Sequence, residues 1–139
     1  QLSKQERGEQ NLLKLMLAHP EARVAVHDIE LSEVTEQFRP YFEVIQKQPK
    51  AKLETLAKLL PQHENDVKIL ALKGEEEYSE LTEHDIGLEA YTQVHRLQKL
   101  NRELNKRRLA KQIAEAEAAG DREGARRILA DYQALLNEE

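Results

Sequence analysis

The chain has no cysteine and no tryptophan, and among its 139 residues there are only two phenylalanines, four tyrosines, four prolines and five glycines. Without cysteine there is neither a disulfide framework nor a thiolate metal site. The glycines stand singly, at Gly8, Gly74, Gly87, Gly120 and Gly124, so no glycine-rich loop is available to cradle a phosphate. No apolar run approaches the roughly 20 residues that cross a bilayer as a helix, and no signal-peptide pattern opens the chain. These absences lead us to expect a soluble, intracellular protein with no membrane contact. The chain opens on Gln1 rather than methionine, from which we expect a fragment or a processed form.

What remains is built for helix. The apolar residues, 40% of the chain, are dominated by leucine and alanine, and 34% of the residues are charged. Straight-chain and small side chains lose little rotamer freedom in a helix, whereas the β-branched residues that favour strands are few. We therefore expect an all-α fold. Leu12, Leu13, Leu15, Met16 and Leu17 spread apolar groups nearly all round a first helix, Ser3 to Ala18, which predicts a buried central element. His19-Pro20 ends it, and Pro20 opens a short helix through Ala25. Ser32 is read as the N-cap of a short helix to Phe38.

Further helices are predicted from Tyr41 to Gln48, over Leu53, Leu56, Leu59 and Leu60 up to Pro61, and over Val67, Ile69, Leu70 and Leu72 with a stop near Gly74. The acidic stretch from Gly74 reads as loop. Leu12, Leu13, Met16, Phe42, Ile45, Leu56 and Leu70 are the expected core.

Thr82 followed by Asp85 has the form of a capping box, and no proline interrupts the chain from there to Gly120. A helix from Glu83 to Ala118 would be ~54 Å long. A ~100-residue bundle is only ~34 Å across, so the helix should overhang it. Its apolar stripe supports this: Ala90, Val94, Leu97, Leu100 and Leu104 keep register, and Leu109, Ile113 and Ala116 resume on a rotated face. The intervening turn, Asn105 to Arg108, has no apolar anchor and is expected to open easily.

Gly120-Asp121 is a joint, with glycine suited to a left-handed C-cap and aspartate to the next N-cap. Beyond it Ala125, Ile128, Leu129, Tyr132, Leu135 and Leu136 cover an arc of roughly 120°, wider than one facing helix can cover. The expected architecture is a helical bundle over residues 1–104, joined by the long helix to a C-terminal helical hairpin over 105–139 with apolar surface to spare.

Catalytic chemistry is hard to find. His27-Asp28 and His84-Asp85 lack the further ligands a metal-dependent phosphohydrolase needs, and His63-Glu64 is followed by Val67 where a zincin needs a second histidine. No serine has an evident base and orienter. We expect no catalytic residue, no metal site and no enzymatic activity in this chain. Net charge is −5 but unevenly placed: residues 1–83 carry 11 basic and 16 acidic side chains, while residues 84–139 carry 10 of each. Arg96, Lys99, Arg102, Lys106, Arg107, Arg108 and Lys111 face Glu103 alone. This basic collar is either a solvated face or a surface for an acidic partner. With no interleaved aromatics, direct nucleic-acid binding is not expected.

Three segments together carry a family resemblance: Gln10 to Glu21 (QNLLKLMLAHPE), Phe38 to Ile45 (FRPYFEVI) and Ala118 to Leu136 (AAGDREGARRILADYQALL), with the long helix between the last two. Over essentially the whole chain this order resembles the C-terminal domain of bacterial DNA primase, which binds the replicative hexameric DNA helicase. The resemblance implies a primosome component that docks primase on the N-terminal domain of the helicase and modulates both activities during primer synthesis. It places the contact on the hairpin, centred on Leu129, Tyr132 and Leu136 and including Leu109, Ile113, Ile128, Leu135 and Arg126. The nucleotidyltransferase chemistry of a whole primase, with its zinc and magnesium, would lie in other domains, so no cofactor is expected here. The bundle also resembles the N-terminal domain of the helicase itself; against that reading, the chain ends soon after the hairpin. An all-α adaptor that self-associates through the hairpin is the alternative from another class.

Overall fold

A computed structural model describes residues 1–138. Among these the chain is helical with no strand: α1 (Lys4–Ala18), α2 (Arg39–Lys47), α3 (Leu53–Leu59), α4 (Glu64–Glu77), α5 (Glu83–Ala118) and α6 (Arg122–Asn137), with 3₁₀ turns at Pro20–Asp28, Leu31–Glu33 and Pro61–His63. The all-α expectation holds. The chain divides into two compact units, Gln1–Leu97 and Gln98–Glu139, whereas the sequence reading divides it at 104/105.

In the first unit α1 is the hub, as its all-round apolar character requires. Leu12, Leu13, Leu15 and Met16 are fully buried and Leu17 nearly so. Ser3 starts the helix with a reciprocal capping box: its Oγ accepts from the Glu6 amide at 3.1 Å and its own amide donates to Glu6 Oε1 at 3.0 Å. The bond from the Ser3 amide first, and then the Ser3 hydroxyl, hold the Glu6 carboxyl below the usual carboxylate range. Every residue expected in the core is buried, including Phe42, Ile45, Leu56 and Leu70.

α4 packs on α1 and differs from the sequence reading. It does not stop at Gly74 but continues one turn to Glu77. Its inward residues are Val67, Leu70, Ala71 and Gly74, the i, i+3, i+4, i+7 set of one helix face. Ile69 and Leu72, which the sequence reading grouped with them, are 50% and 66% exposed. Gly74 is inside the helix because α1 passes so close: a Cβ there would collide with the Lys14 backbone carbonyl and the Ala18 methyl. Lys14 Nζ spans the same seam to Glu77 Oε1 at 3.0 Å.

The expected helix from Ser32 to Phe38 is absent; only a 3₁₀ turn, Leu31–Glu33, forms. Some of its backbone groups pair with side chains from outside it instead. The Thr35 amide donates to Glu9 Oε2 at 2.9 Å, and the Arg39 guanidinium donates to the carbonyls of Leu31 and Val34 at 3.0 and 2.8 Å. The Pro20 helix is 3₁₀ rather than α and runs on to Asp28. Within it Arg23, only 2% exposed, donates to the carbonyls of Met16 (2.7 Å), Pro49 (3.1 Å) and Ala51 (2.6 Å). Burial pushes its pKa below the usual arginine value, but guanidinium is so strong a base that it stays charged.

α5 starts where expected: Thr82 Oγ1 accepts from the Asp85 amide at 3.2 Å, the forward half of a capping box. Ile86, Ala90, Gln93 and Val94 are its buried residues in the first unit. Gln93 Nε2 donates to the Tyr78 hydroxyl at 3.0 Å. The helix is unbroken through residues 104–108. Lys106, one of the cations of the basic collar, lies 3.6 Å from Glu103 with its side chain only 15% exposed.

Candidate docking surface

The second unit consists of the latter part of α5, a tight turn and α6. The turn follows from two residues. Gly120 has φ +74°, a left-handed conformation that side chains with a Cβ resist. The Asp121 amide donates to the Ala116 carbonyl (2.9 Å) and the Gly120 amide to the Glu117 carbonyl (3.1 Å), the paired bonds of a Schellman motif. Asp121 then caps α6, its Oδ1 accepting from the Gly124 amide at 2.9 Å. Gly124 fits because a Cβ there would strike that same carboxylate. The Gly120-Asp121 joint is therefore built as the sequence reading has it.

The apolar arc of α6 splits into a covered and an uncovered part. Gly124 and Ala125 are buried, and Ile128, Tyr132 and Leu135 are half-buried. On α5 the apolar residues beyond Leu104 that lose exposure are Leu109, Ile113 and Ala116, all half-buried. Leu129 and Leu136 remain 44% and 41% exposed. They stand seven residues apart on one side of α6, with exposed Arg126 one turn before Leu129. Of the residues the sequence reading assigned to a contact, three thus line an open edge (Arg126, Leu129, Leu136). The other five (Leu109, Ile113, Ile128, Tyr132, Leu135) are half-buried.

This edge combines apolar and cationic side chains. Its groups are two leucines and an arginine, with a half-buried tyrosine behind them. Among the described residues no group of three histidines or carboxylates is placed to hold a metal ion, and no helix is long and apolar enough to cross a membrane. His63, tested above as a zincin ligand, packs on the Tyr41 ring with centroids 5.2 Å apart.

The first unit holds exposed apolar residues that the sequence reading did not single out: Val24 (57%), Leu88 (54%) and Tyr91 (39%). The Tyr91 hydroxyl reaches the Val24 carbonyl at 3.5 Å. The i, i+3 spacing of Leu88 and Tyr91, opposite the Ile86-Ala90 face, is the signal that would have found them. Comparison with known proteins adds nothing to this geometry: no family model, curated protein or solved structure matches the chain.

Proposed function

We propose that this chain is a helicase-docking domain of the bacterial primase class, which acts in the cytoplasm at the replication fork and catalyses nothing itself. It binds the N-terminal domain of the replicative hexameric helicase through the α6 edge and needs no cofactor to do so. The observation that carries the reading is the pair of leucines, Leu129 and Leu136, left in solvent beside Arg126 on a capped helix. The order of the segments that resemble the primase domain supports it.

Covering an exposed leucine fully at an interface contributes about 1.5–3 kcal/mol, and an arginine beside it is one of the residues enriched at interface hot spots. Leu129 and Leu136 are the informative positions, because Tyr132 also packs within the unit. The test is calorimetric titration of the full chain into the N-terminal domain of a hexameric replicative helicase. Leu129→Ser with Leu136→Ser should weaken binding at least tenfold, since each 1.4 kcal/mol is a factor of ten, while leaving the helical circular dichroism unchanged. No binding by the unmodified chain, or equal binding by the double variant, would refute the reading. Sedimentation of the chain alone separates self-association through the same edge from helicase binding.

A further inference from the structure

The docking edge leaves the basic collar without a role, and the second unit gives that collar a definite geometry. Leu109, Ile113 and Ala116 occupy one face of α5. About half a turn round the helix lie Leu100, Leu104, Arg107, Arg108 and Lys111. Their i, i+4, i+7, i+8, i+11 spacing puts them within an arc of about 100°. Leu104 is 38% exposed, Leu100 is half-buried, and all three cations are exposed. Arg107 and Arg108 make no ion pair among the described residues. Lys111 has only Glu115, at 4.0 Å with both side chains mostly in solvent, a pair worth little in water.

The face is therefore a seam with an apolar half and a cationic half, extending about 16 Å along the helix axis. We propose that it is a second docking surface, and that its occupant is an amphipathic helix of a protein partner. That helix carries leucine-like residues in one turn, laid on Leu100 and Leu104, and carboxylates at i, i+4 in the next turns, facing Arg107, Arg108 and Lys111. The spacing matches helix-on-helix recognition, in which anchors recur at i, i+3, i+4 and i+7.

Charge complementarity selects an anionic occupant, and the two leucines select a protein over a nucleic acid. A phosphate backbone offers them nothing apolar. No aromatic lies in the arc to stack on a base, and the chain's net charge of −5 opposes the approach of a polyanion. The proposal is independent of the helicase reading, because Leu129 and Leu136 belong to a different helix.

The experiment uses the full chain and a fluorescein-labelled helical peptide about five turns long, with leucines on one face of its first half and glutamates on the same face of its second. Anisotropy should report saturable binding that weakens with salt. Leu104→Ser, and separately Arg107→Gln with Lys111→Gln, should each weaken it severalfold. Arg107→Glu with Lys111→Glu should weaken it about tenfold or more, since like charges then face each other. All these positions are exposed, and circular dichroism checks that each variant folds. Leu129→Ser with Leu136→Ser should leave binding unchanged. Four outcomes overturn the proposal: no binding; equal binding by a peptide whose leucines are serine, which makes the surface purely ionic; loss of binding in the α6 variant, which moves the site; and stronger competition by a single-stranded oligonucleotide than by unlabelled peptide, which makes it a nucleic-acid surface.

Discussion

Replacing Gly74 by alanine adds one methyl group inside α4, where alanine is ordinarily the better residue by about 1 kcal/mol. The packing reverses the sign. The new Cβ meets the Lys14 carbonyl oxygen and carbon and the Ala18 Cβ, all within 3 Å. No rotamer change can clear a backbone carbonyl, so α1 and α4 must move apart. Overpacking of a core seam costs about 1–3 kcal/mol, and more where the backbone must shift. Even against the propensity gain, Gly74→Ala should lose about 1–2 kcal/mol or more. For a chain of this size that is a fall in melting temperature of roughly 4–8 °C.

Gly87 supplies the control. It too lies inside a helix, but a Cβ there meets nothing within 4 Å, so Gly87→Ala should stabilise by about 0.5–1 kcal/mol. Urea titration followed by circular dichroism at 222 nm measures both variants against the parent in one experiment. A Gly74→Ala variant as stable as Gly87→Ala would refute the close α1–α4 approach.

Three further expectations follow from the first unit and from α5. Leu13 is fully buried, so Leu13→Ala should lose about 2–5 kcal/mol, read as a lower urea midpoint with unchanged slope. Burial raises the pKa of Tyr78 above the usual phenol value, with Glu77 and Glu89 adding to it against the Gln93 hydrogen bond, and burial raises that of Tyr41. The folded state therefore holds these protons more tightly than the unfolded one. The associated stability is present below pH about 10 and is lost as pH rises through the raised values. A Tyr78→Phe variant should show a shallower alkaline fall in melting temperature, and an identical fall would exclude Tyr78 as a cause. Residues 104–108 are helical but lie outside the buried set of α5, so their amides should exchange faster than those at 94–100; hydrogen-exchange mass spectrometry giving equal protection would exclude this.

Where a helix is specified by its own neighbourhood, the sequence was enough to find it. Ser3, Thr82, Gly120 and Asp121 act through bonds to residues at most five positions away, and the helices they bound are the ones expected. The buried face of α1 was readable because its leucines leave no polar side to choose. The errors fall where distant groups decide. The segment after Ser32 has a helix signature, yet the Thr35 amide is taken by Glu9, 26 residues away along the chain, and the Leu31 and Val34 carbonyls by Arg39. Gly74 resembles a stop signal until α1 is laid beside it. The apolar arc of α6 was legible as too wide for one partner, but which part stays open depends on how α5 covers it. Spacing alone left Leu129, Tyr132 and Leu136 equivalent, and burial separates them.

Arg23 has a consequence beyond the bonds it makes. The Met16 carbonyl is one of the four that α1 cannot use at its own end, and the same guanidinium holds the Pro49 and Ala51 carbonyls on a turn some thirty residues away. Releasing that turn alone would strand a buried cation, so fraying there is tied to loss of the α1 terminus. Lys50 and Lys52 display their side chains to solvent and look like open cleavage sites for trypsin. A protease, however, needs the backbone drawn out as an extended strand, and here the carbonyls on either side of Lys50 are held from inside the protein. The turn should resist nicking as long as α1 stays folded, and its life on the surface is set by the interior.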